Sequence, residues 1–178
     1  MKLKSLLTIV AGSALLLSAC GGGSTSNMPV PPAIDAAPHI KGTVDSTAVK
    51  ATTQIGGGVQ AWNGKLWLWA MDSDLTWDLH NIPDAKGVYP CAVRQNESDN
   101  SNLYMEYWRR LDGGAKSYRA DASAGSSCSI TVLAVSDKEV SGTFTATMLQ
   151  TAPRPDTPVT IQVTNASFRV PKNGQFPD

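Results

Sequence analysis

An all-β fold is predicted by three features of this chain. Apolar residues recur with a period of two from about residue 43 to residue 170. Turn-forming residues separate the alternating runs, and no window shows a helical apolar stripe with caps. Eight to ten short strands at regular spacing point to an antiparallel β-sandwich, immunoglobulin-like in architecture, with a β-barrel as the alternative. The sandwich is preferred because the strands alternate cleanly and a cysteine pair could join its sheets. Trp108 lies between Cys91 and Cys128, but the cysteine spacing is short for an antibody domain, so the expectation concerns architecture and not family.

The elements follow in order. Residues 43–55 form the first expected strand. Trp62-Asn63-Gly64-Lys65 carries Asn-Gly, a strong hairpin signal because both residues tolerate positive φ. Residues 66–71 form the next strand, and Asp72-Ser73-Asp74 turns it. Leu75, Trp77 and Leu79 then face one way and Thr76, Asp78 and His80 the other. Residues 87–94 and 102–110 add two strands, whereas residues 115–127 are small and polar and read as an irregular loop or an edge. Ile130, Val132 and Ala134 line a strand that turns at residues 136–139 into Val140, Gly142, Phe144, Ala146 and Met148, which alternate with Ser141 and three threonines. Val159, Ile161 and Val163 alternate likewise, and Ala166, Phe168 and Val170 continue after Asn165.

Ahead of this domain stands a different composition. Lys2 and Lys4 precede an apolar run at residues 6–17, and the small residues Ser18 and Ala19 precede Cys20. That is the order of a secretory signal, and the run is short of the roughly 20 apolar residues a membrane helix needs. Leu17-Ser18-Ala19-Cys20 resembles a bacterial lipobox. The resemblance implies a signal peptide over residues 1–19, cleavage after Ala19, and acylation of Cys20 as a lipoprotein's palmitate-type anchor in membrane lipid. Gly21 rather than aspartate after the cysteine implies the outer membrane of the cell envelope. Two or more acyl chains hold a protein firmly, at about 0.8 kcal/mol per buried CH₂. Residues 20–40 are Gly/Ser-rich and then Pro-rich, a tether that spans roughly 25 Å as a coil. Residues 41–178 are expected to form one β domain.

Without residues 1–19 the chain has thirteen basic against fifteen acidic residues, and this near-neutral balance argues against nucleic acid as a partner. Cys91 and Cys128 remain, and in an oxidising compartment they are expected to form a disulfide. No spacing predicts a metal site or a cofactor. HExxH, paired CxxC and Gly-x-Ser-x-Gly are all missing, and Gly56-Gly57-Gly58 lacks the continuation of a phosphate loop. Asp72, Asp74 and Asp78 form an acidic cluster without the rest of a calcium loop, and read as a solvated turn. His80 reads as a solvent-face residue.

Tryptophan is the richest signal. Trp67 and Trp69 share one face of their strand while Leu66 and Leu68 occupy the other, and Tyr104 and Trp108 share parity on theirs. Trp67, Trp69, Tyr104 and Trp108 are therefore the candidate binding face, because exposed aromatics stack on sugars or anchor protein partners. Segments 141–146, 159–161 and 165–168 look like the closing part of uncharacterised secreted bacterial β-sandwich domains, a resemblance that implies fold only. The functional expectation is a membrane-tethered, non-catalytic binding or structural module for an envelope protein or glycan, displayed as a surface antigen by analogy with its class. Two alternatives are a hydrolase drawing on Asp72, Asp74, Asp78, His80 and Glu106, and a small-ligand or lipid carrier with an enclosed cavity.

Overall fold

A computed structural model describes residues 34–60, 63–93, 101–111 and 113–172. The signal segment, Cys20, most of the tether, Trp62 and residues 97–100 of the polar loop lie outside the described residues. The described chain is all-β: β1 (His39–Val44), β2 (Thr47–Ala51), β3 (Gln54–Val59), β4 (Leu66–Met71), β5 (Leu75–Ile82), β6 (Gly87–Pro90), β7 (Tyr104–Leu111), β8 (Gly114–Ala120), β9 (Ser127–Val135), β10 (Glu139–Ala152) and β11 (Thr160–Pro171).

These strands form one antiparallel sheet in the order β2-β1-β11-β10-β8-β7-β5-β4-β3, with β9 on β10 and β6 on β9. The two ends of the sheet approach each other, β3 against β11 and β4 against β1, so the sheet nearly closes into a barrel. The architecture is thus the barrel alternative, with all strands in one continuous sheet. Alternation explains why it closes around a core. Val140, Phe144, Ala146 and Met148 of β10 point inward, as do Leu75, Trp77 and Leu79 of β5 and Met105 and Tyr107 of β7. Inside, Trp77 lies 4.3 Å from Tyr107 and 5.5 Å from Phe144, ring centre to ring centre, bridging strands on opposite walls.

β10 is the hub. One edge pairs with β11, and the other is shared, β9 taking residues 140–147 and β8 taking 149–152. Its register with β9 slips at Gly142, where an added Cβ would run into Thr131 O of the bulged β9 and sit 2.6 Å from the Phe168 ring, so only glycine lets the two backbones approach this closely. A second bulge explains the break after Val163: Asn165, at φ 49°, lets Val163 and Ala166 both face inward.

Four expectations are corrected. Residues 43–55 are not one strand, because Asp45 and Ser46 take positive φ, 43° and 74°, and close a hairpin between β1 and β2. The domain starts before residue 41: His39 opens β1, fully buried, with Nε2 3.1 Å from Ser167 Oγ. Residues 114–120 are neither loop nor edge, because β8 pairs with both β7 and β10 and buries Tyr118. Ala134 is exposed, and Val135 packs on the core instead, through the same bulge beside Gly142. The hairpin expected at Asn63-Gly64 does join β3 to β4, but Gly64 takes positive φ, 68°, while Asn63 does not, and the loop closes further out, with Gln60 N donating to Lys65 O. Cys91 and Cys128 are paired as a disulfide with Cα atoms 5.1 Å apart. It ties β6 to the start of β9, a constraint worth about 4 kcal/mol on the unfolded chain in the loop-entropy account.

Candidate functional site

The outer face of β4, β5, β7 and β8 gathers the side chains of chemical interest. Alternation decides who stands there. With Leu68, Trp77, Leu79, Met105 and Tyr107 turned into the barrel, Trp67, Trp69, Asp78, His80, Tyr104, Glu106 and Trp108 must turn out. Register then sets the neighbours: Trp69 opposes Asp78, His80 opposes Tyr104, Asp78 opposes Glu106, and Glu106 opposes Arg119.

Three rings form a row. The His80 imidazole stacks on Tyr104 with centres 4.2 Å apart and 8° between planes, and on Trp67 at 5.2 Å and 23°. This enclosure leaves the His80 side chain only 12% exposed, so it is not the open solvent-face residue its parity implies. The four candidate aromatics share the face but differ in exposure. Trp69 and Tyr104 are buried outside the barrel core, whereas Trp67 and Trp108 are half-buried.

Charge lies beside the rings. Trp67 Nε1 donates to Asp78 Oδ1 at 3.2 Å. Arg119 donates through Nε and Nη2 to Glu106 Oε1, at 2.9 and 2.7 Å, and its guanidinium lies 5.9 Å from the Tyr104 ring centre. Glu106 Oε2 is 3.9 Å from His80 Nε2. Burial pushes the Asp78 carboxyl up to about 6. The Trp67 N–H opposes that rise and the Glu106 charge adds to it.

Of the five residues in the hydrolase pool, Asp78, His80 and Glu106 come together, with ligating atoms all within 4.8 Å of one another. Asp72 does not join them: it accepts from Thr52 N and Thr53 Oγ1 at the end of the hairpin. Asp74 serves the same turn, where its carbonyl accepts from Arg110 N. The acidic cluster of residues 72–78 therefore does not converge. Arg119 is the site residue the sequence reading misses. Its signal was the alternation of Ser117 and Arg119 around Tyr118, hidden by the neighbouring Gly113-Gly114 and by small residues on either side.

No protein-family model, no curated protein and no solved structure matches the chain.

Proposed function

We propose that this protein is a lipid-anchored binding module of a bacterial envelope, and that the outer face of β4, β5, β7 and β8 recognises a glycan. The observation that carries the binding half is the Trp67–His80–Tyr104 row with Asp78, Glu106 and Arg119 along its edge. Sugar rings present apolar faces rimmed by hydroxyls. The half-buried Trp67 and Trp108 offer aromatic surface to the faces, the stacked His80 and Tyr104 back Trp67, and carboxylates and a guanidinium take the hydroxyls. The barrel does not need this arrangement, since the core closes on the opposite side of the same strands. Holding Asp78 there works against folding at neutral pH, a pattern that favours a functional rather than a structural role.

A lipid carrier is disfavoured because Trp77, Tyr107, Phe144, Phe168 and Met148 fill the barrel interior. A second reading, glycan hydrolysis, draws on one observation: Asp78 is pushed up while Arg119 pairs with the adjacent Glu106. Release of shortened glycan by the protein would select that reading over simple binding.

The anchor half rests on the lipobox. Replacing Cys20 with serine should move the protein from the membrane fraction to the soluble fraction when cells are fractionated. A Cys20→Ser protein that stays with the membranes under high salt would remove the anchor from the account. The binding half predicts that Trp67→Ala weakens glycan affinity about tenfold, near 1.4 kcal/mol, by calorimetry.

A further inference from the structure

Sugar recognition explains rings flanked by polar groups, but it does not explain why an imidazole and two carboxylates converge. Asp78, His80 and Glu106 sit on two adjacent strands, with their ligating atoms within 4.8 Å of one another. We infer that they bind one divalent transition-metal ion of the zinc class, through His80 Nε2 and one oxygen from each carboxylate, leaving the remaining coordination to solvent or to a ligand.

Distances bear on this first. Zinc bonds to imidazole nitrogen and carboxylate oxygen are about 2.0–2.2 Å, so neighbouring ligand atoms in a tetrahedral site lie roughly 3.4 Å apart. Glu106 Oε2 and His80 Nε2 are 3.9 Å apart, about half an ångström from that spacing. The Glu106 side chain is 36% exposed, so it can close the gap and an ion can enter past it.

The donor set comes next. One nitrogen and two oxygens suit zinc and its neighbours, whereas calcium and magnesium prefer all-oxygen sites. The surroundings also do what groups around a metal site do. Each carboxylate has one oxygen engaged by a neighbour: Asp78 Oδ1 accepts from Trp67, and Glu106 Oε1 accepts from Arg119. Those bonds fix the carboxylates while Glu106 Oε2 faces the imidazole. Trp67 and Tyr104 clamp the imidazole plane from both sides, so little side-chain freedom is lost when a metal binds. A cation at this point also relieves the facing negative charges of Asp78 and Glu106. Among the described residues this is where three such groups converge.

The inference shares a face with the glycan reading but fails separately from it, because the probe is the metal alone. The full chain, stripped with a chelator, is titrated with Co²⁺ while visible absorption is followed, and Zn²⁺ is then added. The expected result is a saturable one-to-one signal that Zn²⁺ displaces, weakened roughly tenfold or more in His80→Asn and in Glu106→Gln. No variant is needed for the second readout. The chain has two histidines, so imidazole proton resonances of the unsubstituted protein should show His80 shifting with Zn²⁺ and His39 unmoved. Absence of saturation overturns the site. So does a thiolate absorption band, which would place the ion on Cys20, and so does a Zn²⁺ titration that leaves the His80 resonances in place.

Discussion

Replacing Trp77 with alanine should lower the unfolding free energy by about 3–5 kcal/mol in denaturant titration. Trp77 is fully buried near the middle of β5, against Tyr107 on the neighbouring strand and edge-on to Phe144 of β10 across the barrel. Its removal empties the point where two walls meet, and a sheet curled on itself cannot collapse into the gap without breaking ladder hydrogen bonds. The cost is one of packing and not of a lost polar contact, since the indole N–H has no hydrogen-bond partner among the described residues. Trp77→Phe should therefore recover more than half of the loss. A loss below 1 kcal/mol for Trp77→Ala would mean that the interior is not the continuous core described above.

Asp78 governs the second large effect. Its carboxyl is pushed from 3.8 to about 6 in the folded chain, chiefly by burial. A carboxyl raised on folding stabilises the native state while protonated, so this contribution is intact below pH 3.8 and is lost as pH climbs through 6. At about 1.4 kcal/mol per pH unit of displacement, the loss is on the order of 3 kcal/mol. Asp78→Asn, measured with chelator present, should be more stable than the unsubstituted protein at pH 7 and nearly equal to it at pH 4. His39, held below its ordinary value mainly by burial, acts with the opposite sign, and both proteins share that effect. Glu106 and His80 face Asp78 in both proteins as well, so the difference between the two stability curves isolates the carboxyl. Curves that run parallel from pH 4 to pH 7 would place Asp78 in solvent.

The strands that carry the core were legible because each obeys a period of two. Val140 to Met148 and Leu75 to Leu79 face inward as their alternation requires. Misreadings fell where backbone geometry outranks composition. Asp45 and Ser46 close a tight hairpin without glycine or asparagine, and the inward face shifts by one residue at bulges, at Asn165 of β11 and at Leu133 of β9 opposite Gly142. β8 was hidden because Gly, Ala, Ser and Lys look like loop until β7 and β10 flank them and Tyr118 turns inward. Sandwich and barrel share the same local pattern, and curvature of the sheet separates them. At the site, parity alone put Trp67 and Trp69 together, Asp78 with His80, and Tyr104 with Trp108. It could not put Glu106 beside Asp78 or Arg119 beside Glu106, because register between strands far apart in sequence carries that information. Enclosure of His80 between two rings is a consequence of the same register.

Glycan recognition is assigned to the outer face of β4, β5, β7 and β8, and a strand outside that face provides the control. Thr145 stands exposed on β10, away from the aromatic row. The most direct measurement is calorimetric binding of soluble bacterial-envelope glycans to the full chain, to Trp67→Ala and to Thr145→Ala, with each variant's fold confirmed by circular dichroism. Binding should be saturable, unchanged in Thr145→Ala and weakened about tenfold in Trp67→Ala. Binding that is unaffected by Trp67→Ala, or no saturable binding to any envelope glycan, would contradict glycan recognition at this face.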